Sequence, residues 1–228
     1  MKKVLLVGNG ESFLEKNMSD IIDSFDIVCR YNFGGSKTSL DRGKDFMGTK
    51  KDIWFNFDFS NFVKDGKITT NKYNIEYIHS YDKIYIPGID WQVNPLLALG
   101  NSFEQHVNVT SKMFEDIQNK TFDDVVNLRE IYDTEINNIW LFPLNYSEET
   151  RLAFPELPEY NIPTTGLKSV YFLLKEYPKL YLCGFDGGKT EHWDKNYKFE
   201  NKENRHNGEL EQIFLKKLEK ENKIEFID

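Results

Sequence analysis

The stretch Val4-Leu5-Leu6-Val7-Gly8-Asn9-Gly10-Glu11-Ser12 decides the fold. A short, continuous apolar run closed by glycine is far from the roughly 20 residues of a membrane span. It lacks the alternation of a strand with one wet face and reads as a buried strand of a parallel sheet. The turn that follows opens a helix. In open α/β sheets ligands sit at the carboxyl ends of strands, in such turns. Glycines there let a phosphate or ribose approach the backbone, and a helix N-terminus favours an anion. A dinucleotide fingerprint requires a third glycine, and that position is Phe13. By itself the turn reads equally as an ordinary tight turn. Asn9 adds an amide that can both donate to and accept from a nucleotide.

Six more runs of the same kind follow: residues 25–30, 52–57, 83–87, 139–142, 180–183 and 223–227. Between them the pattern predicts helices over 11–23, 100–119, 121–131, 166–176 and 207–222. Thr164 or Thr165 is the expected N-cap of the fourth. Leu210, Ile213, Phe214 and Leu218 form the expected apolar face of the last. Strand and helix alternate, which predicts an α/β fold: a mainly parallel sheet flanked by helices. The 228 residues suit a single Rossmann-like domain over 1–228, with a polar loop or lid at 187–208.

The net charge of −8 argues against non-specific nucleic-acid binding, which needs a positive surface. Eighteen Phe and twelve Tyr exclude a disordered chain. Cys29 and Cys183 lie in or beside buried strands and read as small hydrophobes rather than a disulfide. Met1-Lys-Lys leads straight into the first strand with no signal-peptide pattern. These features lead to the expectation of a soluble, cytoplasmic protein, whose Lys-rich C-terminal helix allows peripheral membrane contact at most.

Other segments carry chemistry. Arg30-Tyr31-Asn32 stands at the end of the second strand, where Asn32 can face the same crevice as Asn9; a surface Arg and a turn Asn is the plainer reading. Asp45-Phe-Met-Gly48-Thr49-Lys50 is by itself a polar turn. Pro163-Thr164-Thr165-Gly166 offers hydroxyls and free amides at a helix start, suited either to an anion or ribose or simply to capping. Gly184-Phe185-Asp186-Gly187 is a second strand-to-glycine turn. His192 and His206 lie in the polar stretch 187–208 without metal-ligand spacing. His206 stands just before a helix, with Glu211 in its first turns, and has the intrinsic pKa of a general base. His79 and His106 have no such setting and read as structural.

Taken together, these segments resemble the animal-type sialyltransferases of glycosyltransferase family 29. Residues 4–50 are similar to its large sialyl motif, 163–187 to the small motif, Glu191-His192-Trp193 to the third, and His206 with Glu211 to the very small motif. Bacterial family 42 sialyltransferases share the opening glycine logic and are a weaker resemblance. The resemblance implies a modified GT-A, Rossmann-like fold and an inverting, metal-independent transfer from a CMP-sugar to an oligosaccharide or glycolipid acceptor, with no cofactor. It implies that Gly8, Asn9, Gly10, Ser12, Arg30, Asn32, Thr164, Thr165, Gly166, Gly184 and Asp186 line the donor site, with Tyr146 as a further phosphate contact. It gives His192 to the donor phosphate and His206 to the acceptor hydroxyl as general base, supported by Glu211.

Some positions depart from the family pattern. Ile162 stands where the family carries Tyr, Cys29 and Cys183 do not occupy its paired positions, and the third motif holds one His. The animal members' membrane anchor and stem have no counterpart in this sequence, which adds to the cytoplasmic expectation. Two alternatives stay open: a CMP-Kdo or other CMP-nonulosonate transferase, and a nucleotide-binding module without activity.

Overall fold

In the computed structural model the described residues are 2–55, 63–64, 67–68, 80–86, 139–141, 146–156, 163–187, 189, 192–193 and 207–227. All seven expected strands are present. They are β1 (Val4–Val7), β2 (Ile27–Tyr31), β3 (Ile53–Phe55), β6 (Lys83–Ile86), β7 (Ile139–Leu141), β8 (Leu180–Cys183) and β9 (Ile224–Phe226). A small antiparallel pair, β4 (Val63–Lys64) with β5 (Lys67–Ile68), lies in a stretch the sequence left unread. The large sheet has the order β7-β6-β3-β2-β1-β8-β9, and every pairing in it is parallel.

β1 is central, with Leu5 beside Val28 on one flank and Tyr181 on the other. Its alternating side chains feed two cores. Val4 and Leu6 join Cys29, Tyr31, Leu180 and Leu182 on one face. Leu5 and Val7 join Val28, Met18, Leu40, Met47 and Cys183 on the other. Burial on both faces is why β1 reads as an unbroken apolar run. It also separates the two cysteines, which are not joined by a disulfide and are buried in different cores.

From β1 the chain steps outward through β2, β3, β6 and β7, then returns to place β8 and β9 on the other side. The reversal falls between β1 and β8. In such sheets that is the switch point, where loops leave the carboxyl ends in diverging directions and open a crevice.

The helices differ more from expectation. The helix expected over 11–23 is broken into a 3-10 turn, Ser12–Glu15, and α1, Ser19–Asp23. Asn17 makes the break: its Oδ1 accepts from Ser19 N at 3.1 Å and from Ser19 Oγ at 2.6 Å, a local alternative to helical bonding. A helix the sequence did not suggest, α2 (Lys37–Met47), is capped by Ser36, whose side chain accepts from Ser39 N. It is mostly polar and turns only Ser39, Leu40, Gly43 and Met47 inward.

Next come α3 (Tyr146–Ala153), α4 (Thr165–Leu173) and α5 (Gly208–Lys220), the last two close to their expected spans. Thr164, not Thr165, caps α4. The inner face of α5 is Glu211, Leu215 and Leu218, while Ile213, expected on it, is 63% exposed. The helices expected over 100–119 and 121–131 lie outside the described residues, as does most of the expected loop at 187–208.

Candidate functional site

The crevice is built by two glycine turns that fit each other. Beyond β1 and β8 their ladder continues: Gly8 N–H donates to Cys183 O at 2.7 Å and Gly10 N–H to Gly184 O at 3.0 Å. A Cβ on Gly8 would stand 2.3 Å from Gly184 O. A Cβ on Gly10 would stand 2.2 Å from Asp186 Oδ2, and that same carboxylate oxygen accepts from Ser12 N at 3.0 Å. These glycines therefore admit the partner turn itself. That approach by itself accounts for glycine at both positions. Gly184 and Gly187 hold φ of 67° and 64°, the left-handed region that a side chain disfavours.

Asn9 lies between these turns and the end of β2. Its Oδ1 is close to Gly34, at 2.3 Å from where a Cβ would be. Gly34 belongs to the 3-10 turn Asn32–Gly35 that follows β2, so Asn9 touches the turn that Asn32 begins. Asn9 Oδ1 and Ser12 Oγ are buried and have no hydrogen-bond partner among the described residues. Buried polar atoms are rarely left so.

His192 joins the same edge. It forms an antiparallel bridge with Gly10, and Trp193 N–H donates to Asn9 O at 3.0 Å. Its ring stacks on Trp193 at 6.0 Å and 28°. The chain thus brings Gly8, Asn9, Gly10, Ser12, Gly184, Asp186 and His192 together across a sequence separation no local signal could bridge.

Arg30 is a correction. Strand alternation turns it toward α2, where its Nη2 donates to Met47 O and Lys50 O, both at 2.8 Å. It is fully buried and pins the loop that precedes β3, so it stands apart from the crevice. The same loop is held from outside by the Asp23 carboxylate, which accepts from Thr49 N and Lys50 N at 2.9 and 2.8 Å. The Gly48-Thr49-Lys50 motif is accounted for by these contacts.

The start of α4 combines the expected Thr164 cap with a contact to α5. Thr164 Oγ1 accepts from Leu167 N at 3.1 Å and donates to Glu211 Oε2 at 2.6 Å. Thr164 N donates to Glu211 Oε1 at 2.7 Å. Glu211 reaches in from the first turn of α5, which Asn207 caps. Burial pushes the Glu211 carboxyl up to about 7, opposed by the Thr164 hydrogen bonds and by Lys168. A side-chain carboxylate therefore sits at this helix start, and Thr164 is engaged as the cap, one of the readings the sequence left open, and as a donor. Thr165 and Gly166 follow it in the first turn of α4.

Phe185, which the sequence reading passed over, ties the halves together. Its ring lies 2.9 Å from where a Cβ on Gly166 would be and 3.0 Å from one on Gly8, and meets Tyr31 edge-on at 5.9 Å. Its place inside a glycine turn was the one available signal. Glu191 and His206 lie outside the described residues. Tyr146 begins α3, and its side chain is not among those described. Among the described residues no group of His, Cys, Asp and Glu could hold a metal ion, and no helix is long and apolar enough to cross a membrane.

Comparison with known proteins adds to this geometry. The model of glycosyltransferase family 29 (sialyltransferase) matches residues 1–223. No curated protein matches the chain. Among solved structures, that of a mammalian sialyltransferase superposes with a TM-score of 0.59 at 15% identity, covering 99% of this chain and 68% of that one. A mammalian sialyltransferase in complex with Gal-beta-1-3GalNAc-ortho-nitrophenol superposes with a TM-score of 0.58 at 14% identity, covering 99% and 69%. At such identities the likeness is one of fold.

Proposed function

The chain belongs to glycosyltransferase family 29, the sialyltransferase family, and from that premise we propose that it moves a sialic acid from CMP-sialic acid to a hydroxyl of an oligosaccharide or glycolipid. The observation that carries the reading is the Gly10–His192 bridge, which sets an imidazole-bearing residue at the switch-point crevice beside Asn9.

In this reading Asn9 and Asn32 meet the donor's ribose and phosphate, and Thr165 and Gly166 meet the nucleoside. The acceptor oxygen attacks the sugar's anomeric carbon as the bond to the CMP phosphate breaks, inverting that carbon. Such displacements pass through an oxocarbenium-like state. The hydroxyl proton passes to His206, and His192 neutralises the departing phosphate. A protonatable His and backbone donors suffice for that charge, so the reading needs no metal. Glu211 acts through Thr164, shaping the start of α4. The two buried thiols, in separate cores, support action in the reducing cytoplasm.

Incubation with CMP-Neu5Ac or CMP-Kdo and a glycan mixture, followed by CMP release, tests the proposal. Release with CMP-Neu5Ac is expected. Release with CMP-Kdo alone would sink the sialyl donor, and CMP binding without turnover of either would leave only a nucleotide-binding module.

A further inference from the structure

We propose that α2 positions His192 through a contact between Gly43 and the Trp193 indole, so that both are positioning residues for the reaction proposed above, on which their catalytic consequence rests. Glycine inside a helix is unfavourable, because it orders a freer backbone and packs no side chain. Gly43 nevertheless lies mid-helix on the inner face of α2. The reason is steric: a Cβ there would stand 2.9 Å from Trp193 Cη2 and 2.4 Å from Met47 Sδ.

The Met47 thioether and the indole together fill the space that glycine leaves. Trp193 is 7% exposed and belongs to the core that holds Leu5, Val7, Leu40 and Met47. Its backbone is fixed at the other end, where its N–H donates to Asn9 O at 3.0 Å. Its neighbour His192 pairs with Gly10. The dipeptide is thus mounted at three points: the indole against α2, and the backbone at Asn9 and at Gly10. The His192 ring stacks on the indole, so a displacement of Trp193 tilts His192 relative to the crevice. Neither Gly43 nor α2 belongs to the crevice, and their effect on it runs through this seam. An error of about 1 Å in the placement of a reacting group is enough to cost on the order of 10²-fold in rate.

The test is a size exchange across the seam, with Gly43→Ala, Trp193→Phe and the double variant. The readout is the His192 imidazole NMR signals, assigned by their loss in His192→Gln, with circular dichroism for the fold. Each single variant is expected to shift the His192 signals while the spectrum of the fold stays. The double variant, in which the new methyl fills the space given up by the shorter ring, should bring them back toward the parent. With CMP-Neu5Ac, each single variant should lose on the order of 10- to 100-fold in kcat, and the double should recover part of it.

Unmoved His192 signals in Gly43→Ala would overturn the inference, as would a double variant shifted at least as far as the singles. If Gly43→Ala does not fold, Trp193→Phe alone decides: a folded variant with unmoved His192 signals overturns the inference. If the parent turns over neither donor, the function reading fails by itself, and the NMR exchange still decides whether α2 sets His192.

Discussion

Glu211 and Thr164 form a reciprocal pair in which one carboxylate takes both the backbone N–H and the hydroxyl of the residue that caps α4, at 2.7 and 2.6 Å. The pair joins the start of α5 to the start of α4 from positions far apart in the chain. The expected support of His206 by Glu211 involves a residue outside the described ones; the partner the described residues display for Glu211 is Thr164.

Thr164→Val should therefore cost more than an ordinary cap. Loss of the cap alone removes about 0.5–2 kcal/mol. The buried Glu211 carboxylate also loses a donor, worth about 1–3 kcal/mol. Urea denaturation of Thr164→Val, Glu211→Gln and the double variant should give effects that fail to add by at least about 0.5 kcal/mol. Simple additivity would show that the two side chains are not coupled.

The same pair predicts a pH dependence. Burial raises the Glu211 carboxyl from 4.5 to about 7, so the folded state holds its proton more tightly than the unfolded state does. The stability this contributes is fully present below pH 4.5 and is lost as pH rises through about 7. At about 1.4 kcal/mol per tenfold difference in proton affinity, the loss is on the order of 3 kcal/mol. Thermal melts should show the parent losing more stability than Glu211→Gln between pH 5 and 8. Parallel curves would mean that Glu211 does not titrate in that window.

The two glycines of the first turn should respond unequally to a methyl group. In Gly8→Ala the obstacle is the Gly184 carbonyl, backbone that cannot step aside. In Gly10→Ala it is the Asp186 carboxylate, which can swing away at the expense of its bond to Ser12 N. Overpacking of this kind costs roughly 1–3 kcal/mol. Gly8→Ala should sit at or above the top of that range and Gly10→Ala near the bottom, with part of the Gly10→Ala loss recovered by Asp186→Ala. Calorimetry of the three variants checks the order.

Removing the crevice side chains should separate binding from chemistry. Asn9→Ala and His192→Ala should each weaken CMP binding, measured by titration calorimetry, with His192→Ala also slowing transfer. His206→Ala should leave CMP affinity nearly intact and lower transfer by roughly 10²–10⁴, the usual worth of a positioned base. Full transfer by His206→Ala would remove it from the mechanism.

Arg30→Met should do the opposite. Its guanidinium serves Met47 O and Lys50 O, so the variant should lose about 2–3 kcal/mol of stability through unpaired buried carbonyls. CMP affinity should stay within about twofold of the parent, since a difference that small lies below roughly 0.4 kcal/mol. A large loss of CMP affinity in a folded variant would return Arg30 to the donor site.

The central strands were legible because they are buried on both faces, as β1 and β3 are throughout, which forces a continuous apolar run into the sequence. α2 was not, because Leu40, Phe46 and Met47 are the only large apolar residues in its polar text, Phe46 faces outward, and a buried glycine carries no hydropathy signal. Arg30 misled because nearness to Asn32 suggests a shared destination, whereas Arg30 lies within β2 and points into a core, while Asn32, at φ 40°, has already left the strand. The break at Asn17 is a local side-chain bond that competes with a helix the pattern otherwise favours.

The sequence by itself determined the α/β class, the glycine turns after β1 and β8, and the ordered motifs that resemble family 29. Those properties are written locally, in runs, turns and spacings of a few residues. The tertiary structure decided which turns meet: that Gly8 is shaped by Gly184, Gly10 by Asp186, Thr164 by Glu211 and Trp193 by Gly43. Each is a close approach between segments far apart in sequence. Such a contact depends on which strands become neighbours, and strand order is fixed by burying the whole set of apolar faces at once rather than by any one segment.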